Sequence, residues 1–225
     1  MITVVYLWRI PGKRAPQAIW HMAIDRFSLR RDPSIGFYKL IGTGTGETFT
    51  PRDADPTLWG LIATLDESAL SAFDVGTVVK TWRKFALSEG RYLASPISAH
   101  GMWSGVQPFE VDLELGKSWT GQVMAITRAR IRWRKGLRFW RAVPPVIESL
   151  RSGPGVEVAF GIGEAPLGLQ GTLSIWRDGD ALKAFAYQGE AHSAVIRETA
   201  AQGWYSEELF ARFALHEIRG SITHA

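Results

Sequence analysis

Apolar residues crowd positions 3–10, and the pattern then changes to one in which Ala15, Ile19, Met22 and Phe27 recur three and four positions apart. The first pattern predicts a buried strand and the second a helix. Two β-rich runs, 36–42 and 59–65, lead to Asp66, the expected cap of a following helix. Beyond Gly76, residues 77–87 read as a further helical stretch and 90–99 as a closing strand. The same succession then returns. A strand is expected over 124–133, a helical pattern through Leu137, Trp140, Ile147 and Leu150, and strands over 156–161 and 171–176. Asp178 opens the next helix, 190–200 is helical again, and 210–218 closes as a strand. Pro144-Pro145 interrupts the first of these helices, where an interior proline costs about 3 kcal/mol, so the helix is expected to kink or restart there.

The repetition extends to residue identity. Asp66-Glu-Ser-Ala-Leu-Ser-Ala-Phe73 aligns with Asp178-Gly-Asp-Ala-Leu-Lys-Ala-Phe185, five of eight positions being identical. Arg9-Ile10 falls on Arg130-Ile131, Trp20 on Trp140, Gly42-x-Gly44 on Gly161-x-Gly163, Gly60 on Gly171 and Gly76 on Gly189. Each copy reads βαββαβ, a unit that makes an antiparallel sheet with helices on one face and leaves the other face to be covered. The expected fold is therefore α+β: two tandem ferredoxin-like repeats closing into a pseudo-symmetric barrel of the dimeric α+β type. The halves are expected at 1–105 and 121–225, around a linker at 106–120.

Composition narrows the chemistry. The chain has 225 residues, 46% of them apolar, which is ample for a core. It has no cysteine, which excludes disulfides, thiolate metal sites, cysteine nucleophiles, iron–sulfur clusters and thiolate-ligated haem. The apolar N-terminus lacks a basic lead and runs into Pro11-Gly12-Lys13-Arg14, so it reads as a strand rather than a signal peptide, and a cytoplasmic location is expected. The apolar region 158–176 is broken by Glu164, Pro166 and several glycines, unlike a membrane-spanning helix. A net charge of +4 spread along the chain gives little reason to expect nucleic acid as a partner.

A duplicated chain also points to what is not duplicated. His192, in the helical pattern with Val195 and Ile196, falls where the first half has Val79. With no cysteine and many aromatics, it suits an imidazole ligand to haem iron, the alternative being a packed or surface histidine. Spacing gives no zinc helix, and neither Gly-x-Ser-x-Gly nor the ending of a phosphate-binding loop is present. Arg128, Arg130, Arg132 and Arg134 alternate along one strand face. Arg128 or Arg130 at the barrel mouth would pair with carboxylates such as haem propionates or assist oxygen activation; a solvated face and a nucleic-acid stripe are the alternatives. After His192 come further candidates: Glu207 or Glu208 to orient an imidazole, Arg197 or Arg212 to meet an anionic group, and Trp204 to pack on a flat ligand, with core packing and a salt bridge as the alternative for each.

The segments Ala184-Phe-Ala-Tyr, His192 with Val195-Ile-Arg197, and Gly203-Trp-Tyr-x-Glu-Glu-Leu-Phe-Ala-Arg-Phe213 resemble the C-terminal signature of the spheroidene monooxygenase family. Ala125-Ile-Thr-Arg-Ala-Arg-Ile-Arg132, Phe139-Trp-Arg-Ala142, Gly161-Ile-Gly163-Glu with Gln170-Gly171, Thr48-Phe-Thr-x-Arg-Asp-Ala-Asp55 and Trp103-Ser-Gly105 extend the likeness over nearly the whole chain. The resemblance implies a haem b oxygenase acting on a small apolar substrate such as an acyclic carotenoid. It implies His192 as the iron's axial ligand, electrons from an external donor of ferredoxin type, at most peripheral membrane contact, and room for a homodimer. Haem chemistry of dehydratase or peroxidase type on the same barrel, and a non-catalytic barrel binding haem or an apolar ligand, are the other readings.

Overall fold

A computed structural model of the chain describes residues 1–44, 53–131, 153–164, 171–188, 205–220 and 222. β1 (Ile2–Arg9) is built from β-branched and aromatic residues that suit a pleated surface, and nearly all of it is buried. α1 (Ala15–Arg31) carries a proline in its first turn, where the missing N–H is no loss, and Arg30 and Arg31 in its last, where they suit the helix dipole. It stops at Asp32, whose carboxylate accepts hydrogen bonds from the Ser34 backbone N–H and hydroxyl. β2 (Ile35–Gly44) and β3 (Ala54–Leu65) follow, then α2 (Leu70–Asp74), α3 (Thr77–Phe85) and β4 (Ser88–Gly101). α4 (Leu113–Ser118) lies between the halves, with the Asp112 carboxylate accepting from Leu115 N–H. The second half contributes β5 (Val123–Ile131), β6 (Val156–Gly163), β7 (Gly171–Trp176), α5 (Gly179–Gln188) and β8 (Tyr205–Arg219).

The pattern at residues 66 and 178 works out differently in the two halves. Asp178 caps as expected, accepting from Ala181 N–H at 2.8 Å. Asp66 instead precedes a 3₁₀ turn at Glu67–Ala69, and its side chain makes no capping bond. The expected helices around Pro144-Pro145 and over 190–200 lie outside the described residues.

The strands close in the circular order β1-β3-β2-β6-β7-β5-β8-β4, every neighbour antiparallel. Each half thus supplies a ferredoxin-like sheet with β1 or β5 inside it, and the halves meet at two seams. At one, β4 and β8 pair from Arg91–Arg219 to Gly101–Leu209; at the other, β2 and β6 pair, among the described residues, at Gly42–Gly163, Thr43–Ile162 and Gly44–Gly161.

Register fixes which residues correspond. Gly60 lies between Leu7 and Ile41, and Gly171 between Arg128 and Ile162. Leu7 therefore corresponds to Arg128 and Ile41 to Ile162. This corrects one expected match: Gly42 corresponds to Gly163, the residue it faces across the seam, rather than to Gly161. The recurring glycine has a steric cause, because a Cβ would meet the Tyr6 carbonyl oxygen at 2.8 Å in the first half and that of Thr127 at 2.3 Å in the second.

Two buried layers result. Alternate residues fill the barrel, among them Val5, Leu7, Ile62, Tyr92, Met124, Ile126, Leu173 and Phe213. On the outside of the first half, Val4, Tyr6, Trp8, Trp59 and Leu61 pack beneath Ala18, Met22, Val79 and Trp82 of the helices.

Candidate functional site

The outer faces of the two half-sheets, built on one plan, carry different residues. In the first half Tyr6 stacks on Trp8 with ring centroids 5.4 Å apart, and Trp8 on Trp82 at 5.1 Å. Glu89 accepts from the Trp8 indole N–H at 2.7 Å, and Asp25 from the Trp82 indole at 2.9 Å. These rings occupy the space between sheet and helices, so this face is full.

Carried to the second half by the strand register, Val4, Tyr6 and Trp8 become Ala125, Thr127 and Ala129. Tyr38 and Leu40 become Ala159 and Gly161, and Leu61 becomes Thr172. The bulk of the first half is thus replaced by small side chains and hydroxyls, although Ala125, Ala129 and Ser174 are buried. At the other end of this face the packing is conventional, with Trp176 against Phe185 of α5 at 5.2 Å and its indole donating to Ser174 Oγ at 2.9 Å.

β8 borders these small residues with Glu208, Phe210 and Arg212, which alternate outward between the inward Leu209, Ala211 and Phe213. Glu208 lies opposite Ala129, Phe210 opposite Thr127 and Arg212 opposite Ala125. Glu208 corresponds to Glu89, but the indole that Glu89 binds has become Ala129. Among the described residues neither the Glu208 carboxylate nor the Arg212 guanidinium has a hydrogen-bond or ion-pair partner. Phe210 is 38% exposed. A face of small residues bordered by an aromatic ring, a carboxylate and a guanidinium fits a flat, mostly apolar ligand with an anionic edge.

Arg128 belongs to the opposite surface. It points into the barrel, only 1% exposed, in the position Leu7 holds in the first half. Its guanidinium donates to Glu164 at 2.8 Å and pairs with Glu207 at 2.5 Å, lying over the Trp103 ring 5.4 Å from the centroid. Glu164 also accepts from Lys39 and from the Trp103 indole, each at 2.7 Å. Burial pushes its carboxyl up, but those two hydrogen bonds and the charges of Lys39 and Arg128 outweigh it and hold the group below the usual range. Glu207 behaves alike: burial raises it, while the N–H groups of Gly105 and Ser104 and the Arg128 guanidinium lower it further than burial lifts it. The gap bordered by Arg128, Trp103, Glu164 and Ile162 is about 10 Å³, room for a single water, so this part of the barrel interior holds no cofactor-sized space.

Of the residues singled out from sequence, Glu208 and Arg212 therefore share one face and Arg128 the other. Arg130 is exposed at the barrel end, opposite Glu207 in register. His192, Arg197, Trp204, Arg132 and Arg134 lie outside the described residues. Sequence reasoning missed Ala129, Thr127 and Gly161, whose significance is what they lack. Aligning β1 with β5 beyond Arg9-Ile10 would have exposed the loss of the aromatic pair. It also missed Lys39 as a partner of Glu164, a contact over 125 residues that no local pattern signals. Among the described residues no three His, Asp or Glu side chains stand together as a metal cluster, and no helix is long and apolar enough to cross a membrane.

No protein-family model matches the chain. A solved aldoxime dehydratase in complex with butyraldoxime superposes with a TM-score of 0.62 over 96% of this chain and 79% of that one, at 10% identity, a likeness of fold. Sequence relatives are much nearer. The spheroidene monooxygenase of Rhodobacter capsulatus is 38% identical over 96% of this chain and 90% of its own length. That of Cereibacter sphaeroides is 32% identical over 89% of this chain, a match spanning 61% of the relative. The chain therefore belongs to the spheroidene monooxygenase family of oxidoreductases.

Proposed function

We propose that this chain is a haem-dependent monooxygenase of an extended apolar substrate, a carotenoid in the sense its relatives' name implies, with haem b on the outer face of the second half-sheet. The observation that carries the reading is the replacement of Tyr6, Trp8, Tyr38 and Leu40 by Thr127, Ala129, Ala159 and Gly161 on a face built on the same strand plan and register. The residues present fit the group. Small side chains would leave room for a flat macrocycle, Phe210 would pack beside it, and the Arg212 guanidinium would meet a propionate. His192 would hold the iron, with Arg197 and Trp204 as further contacts.

Bound haem supplies the redox centre at which dioxygen, with two electrons from an external donor of ferredoxin type, is divided between substrate and water. The chain's own part is to hold, orient and protonate. Glu208, whose counterpart Glu89 binds an indole that is missing here, is a carboxylate on this face that would hold and pass a proton. Thr127, Thr172 and Ser174 present hydroxyls, and the Ser174 oxygen, already accepting from Trp176, keeps its own hydrogen to donate. Arg128 braces the strands from inside the barrel.

Purified chain titrated with haem b should develop a Soret band that is lost or shifted in His192→Ala. Supplied with reductant and an acyclic carotenoid, it should consume oxygen and yield a product heavier by one oxygen atom or converted to a ketone. Turnover of an aldoxime or of peroxide without reductant would replace this reading with dehydratase or peroxidase chemistry. Reversible haem binding with no oxygen consumption would make the protein a carrier.

A further inference from the structure

We infer that α1 is a membrane-docking element that lays its outer face on an anionic lipid surface. The helix is apolar on two sides. Ala18, Met22, Asp25 and Leu29 face the sheet, Asp25 being satisfied by the Trp82 indole and His21. On the opposite side, at helical spacing, Pro16, Ile19, Trp20, Ala23 and Phe27 are exposed, Trp20 by 64% and Phe27 by 66%. This stripe runs about 16 Å along the helix, given a rise of about 1.5 Å per residue. Isolated exposed apolar residues are common, but a continuous stripe centred on tryptophan and phenylalanine is not.

Charge identifies the occupant. Arg26 and Arg30 lie along one edge of the stripe and Arg31 along the other, and Lys13 and Arg14 precede it. α3, beside it, contains no acid and exposes Lys80 and Lys84, as well as Arg83, which pairs with Glu89. The lone acid of α1, Asp25, is buried. A second copy docking through this stripe about a two-fold axis would bring arginine against arginine with no exposed acid of α1 to relieve them. An anionic bilayer satisfies both parts at once: headgroups take the basic rim, while Trp20 and Phe27 enter the headgroup–acyl boundary. This inference stands on α1 and holds whether or not haem binds the second half.

The test is co-sedimentation of the full chain with vesicles of phosphatidylcholine alone and with about one third phosphatidylglycerol. The wild type should bind the anionic vesicles, at least about tenfold more weakly in Trp20→Asp/Phe27→Asp and several-fold more weakly in Arg30→Gln/Arg31→Gln. Melting temperatures should be unchanged, because all four side chains are exposed. Absence of binding by the wild type, or binding that salt removes but the apolar double variant leaves intact, would overturn the proposal. So would a dimer in light scattering that Trp20→Asp/Phe27→Asp converts to a monomer, which would make a second copy the occupant.

Discussion

Arg128 shows how one substitution within a repeat changes its neighbourhood. Its counterpart Leu7 needs only apolar packing, whereas a buried guanidinium needs carboxylates, and Glu164, just beyond β6, and Glu207 of β8 supply them. Removing one partner of such a pair strands the other charge, so Arg128→Met should cost about 3 kcal/mol in urea melts at neutral pH. The pH dependence has a definite sign. Both carboxyls are held below their ordinary values in the folded chain and return to about 4.3 on unfolding. Their contribution is therefore full above that pH and lost as pH falls through the depressed folded values. The stability gap between wild type and Arg128→Met should narrow between pH 7 and about pH 3.5; a constant gap would mean that the pairing contributes nothing. In the first half, Trp82→Ala should cost about 4 kcal/mol, because it opens a cavity beside Trp8 and leaves buried Asp25 without its indole donor.

The contrast between β1 and β5 carries the functional argument. Ile-Thr-Val-Val-Tyr-Leu-Trp-Arg in one and Val-Met-Ala-Ile-Thr-Arg-Ala-Arg in the other both make strands at the same place in their sheets. The strand pattern, the hairpin order and the duplication were legible in the sequence because each depends on local periodicity or on a short identical segment. Asp66 departs from the expected cap because a 3₁₀ turn intervenes, and the sequence aligns Gly42 with Gly161 rather than Gly163 because a Gly-x-Gly pair aligns with itself at either of two offsets. The site was only half legible. Glu208 and Arg212 stand out as charged residues in an aromatic segment, whereas a face defined by missing side chains shows only when β5 is set against β1, so that Ala129 falls on Trp8. Thr127→Tyr and Ala129→Trp, which restore the first half's pair, should leave secondary structure by circular dichroism intact while weakening haem binding by at least about tenfold, since there is no space for both rings and macrocycle.

For the molecule as a whole, closure of the barrel is unequal among the described residues. There the seam of β4 with β8 runs along most of two long strands, while that of β2 with β6 spans Gly42–Gly44 against Gly161–Gly163. Glycines there supply no cross-strand side-chain packing, so amides at this seam should exchange with deuterium faster than those along β4 and β8. Uniform protection at both seams would contradict that reading. The two halves differ in their outer faces: the first is packed with aromatic rings beneath α1 and α3, and the second carries small side chains at the matching strand positions. Since the central claim is that haem lies on that second face, the decisive measurement is the absorbance of the chain titrated with haem b, wild type against Ala129→Trp. A saturable Soret band in the wild type, lost in a variant whose circular dichroism shows the same folded secondary structure, is the expected result. No Soret band in the wild type, or one undiminished in Ala129→Trp, would contradict it.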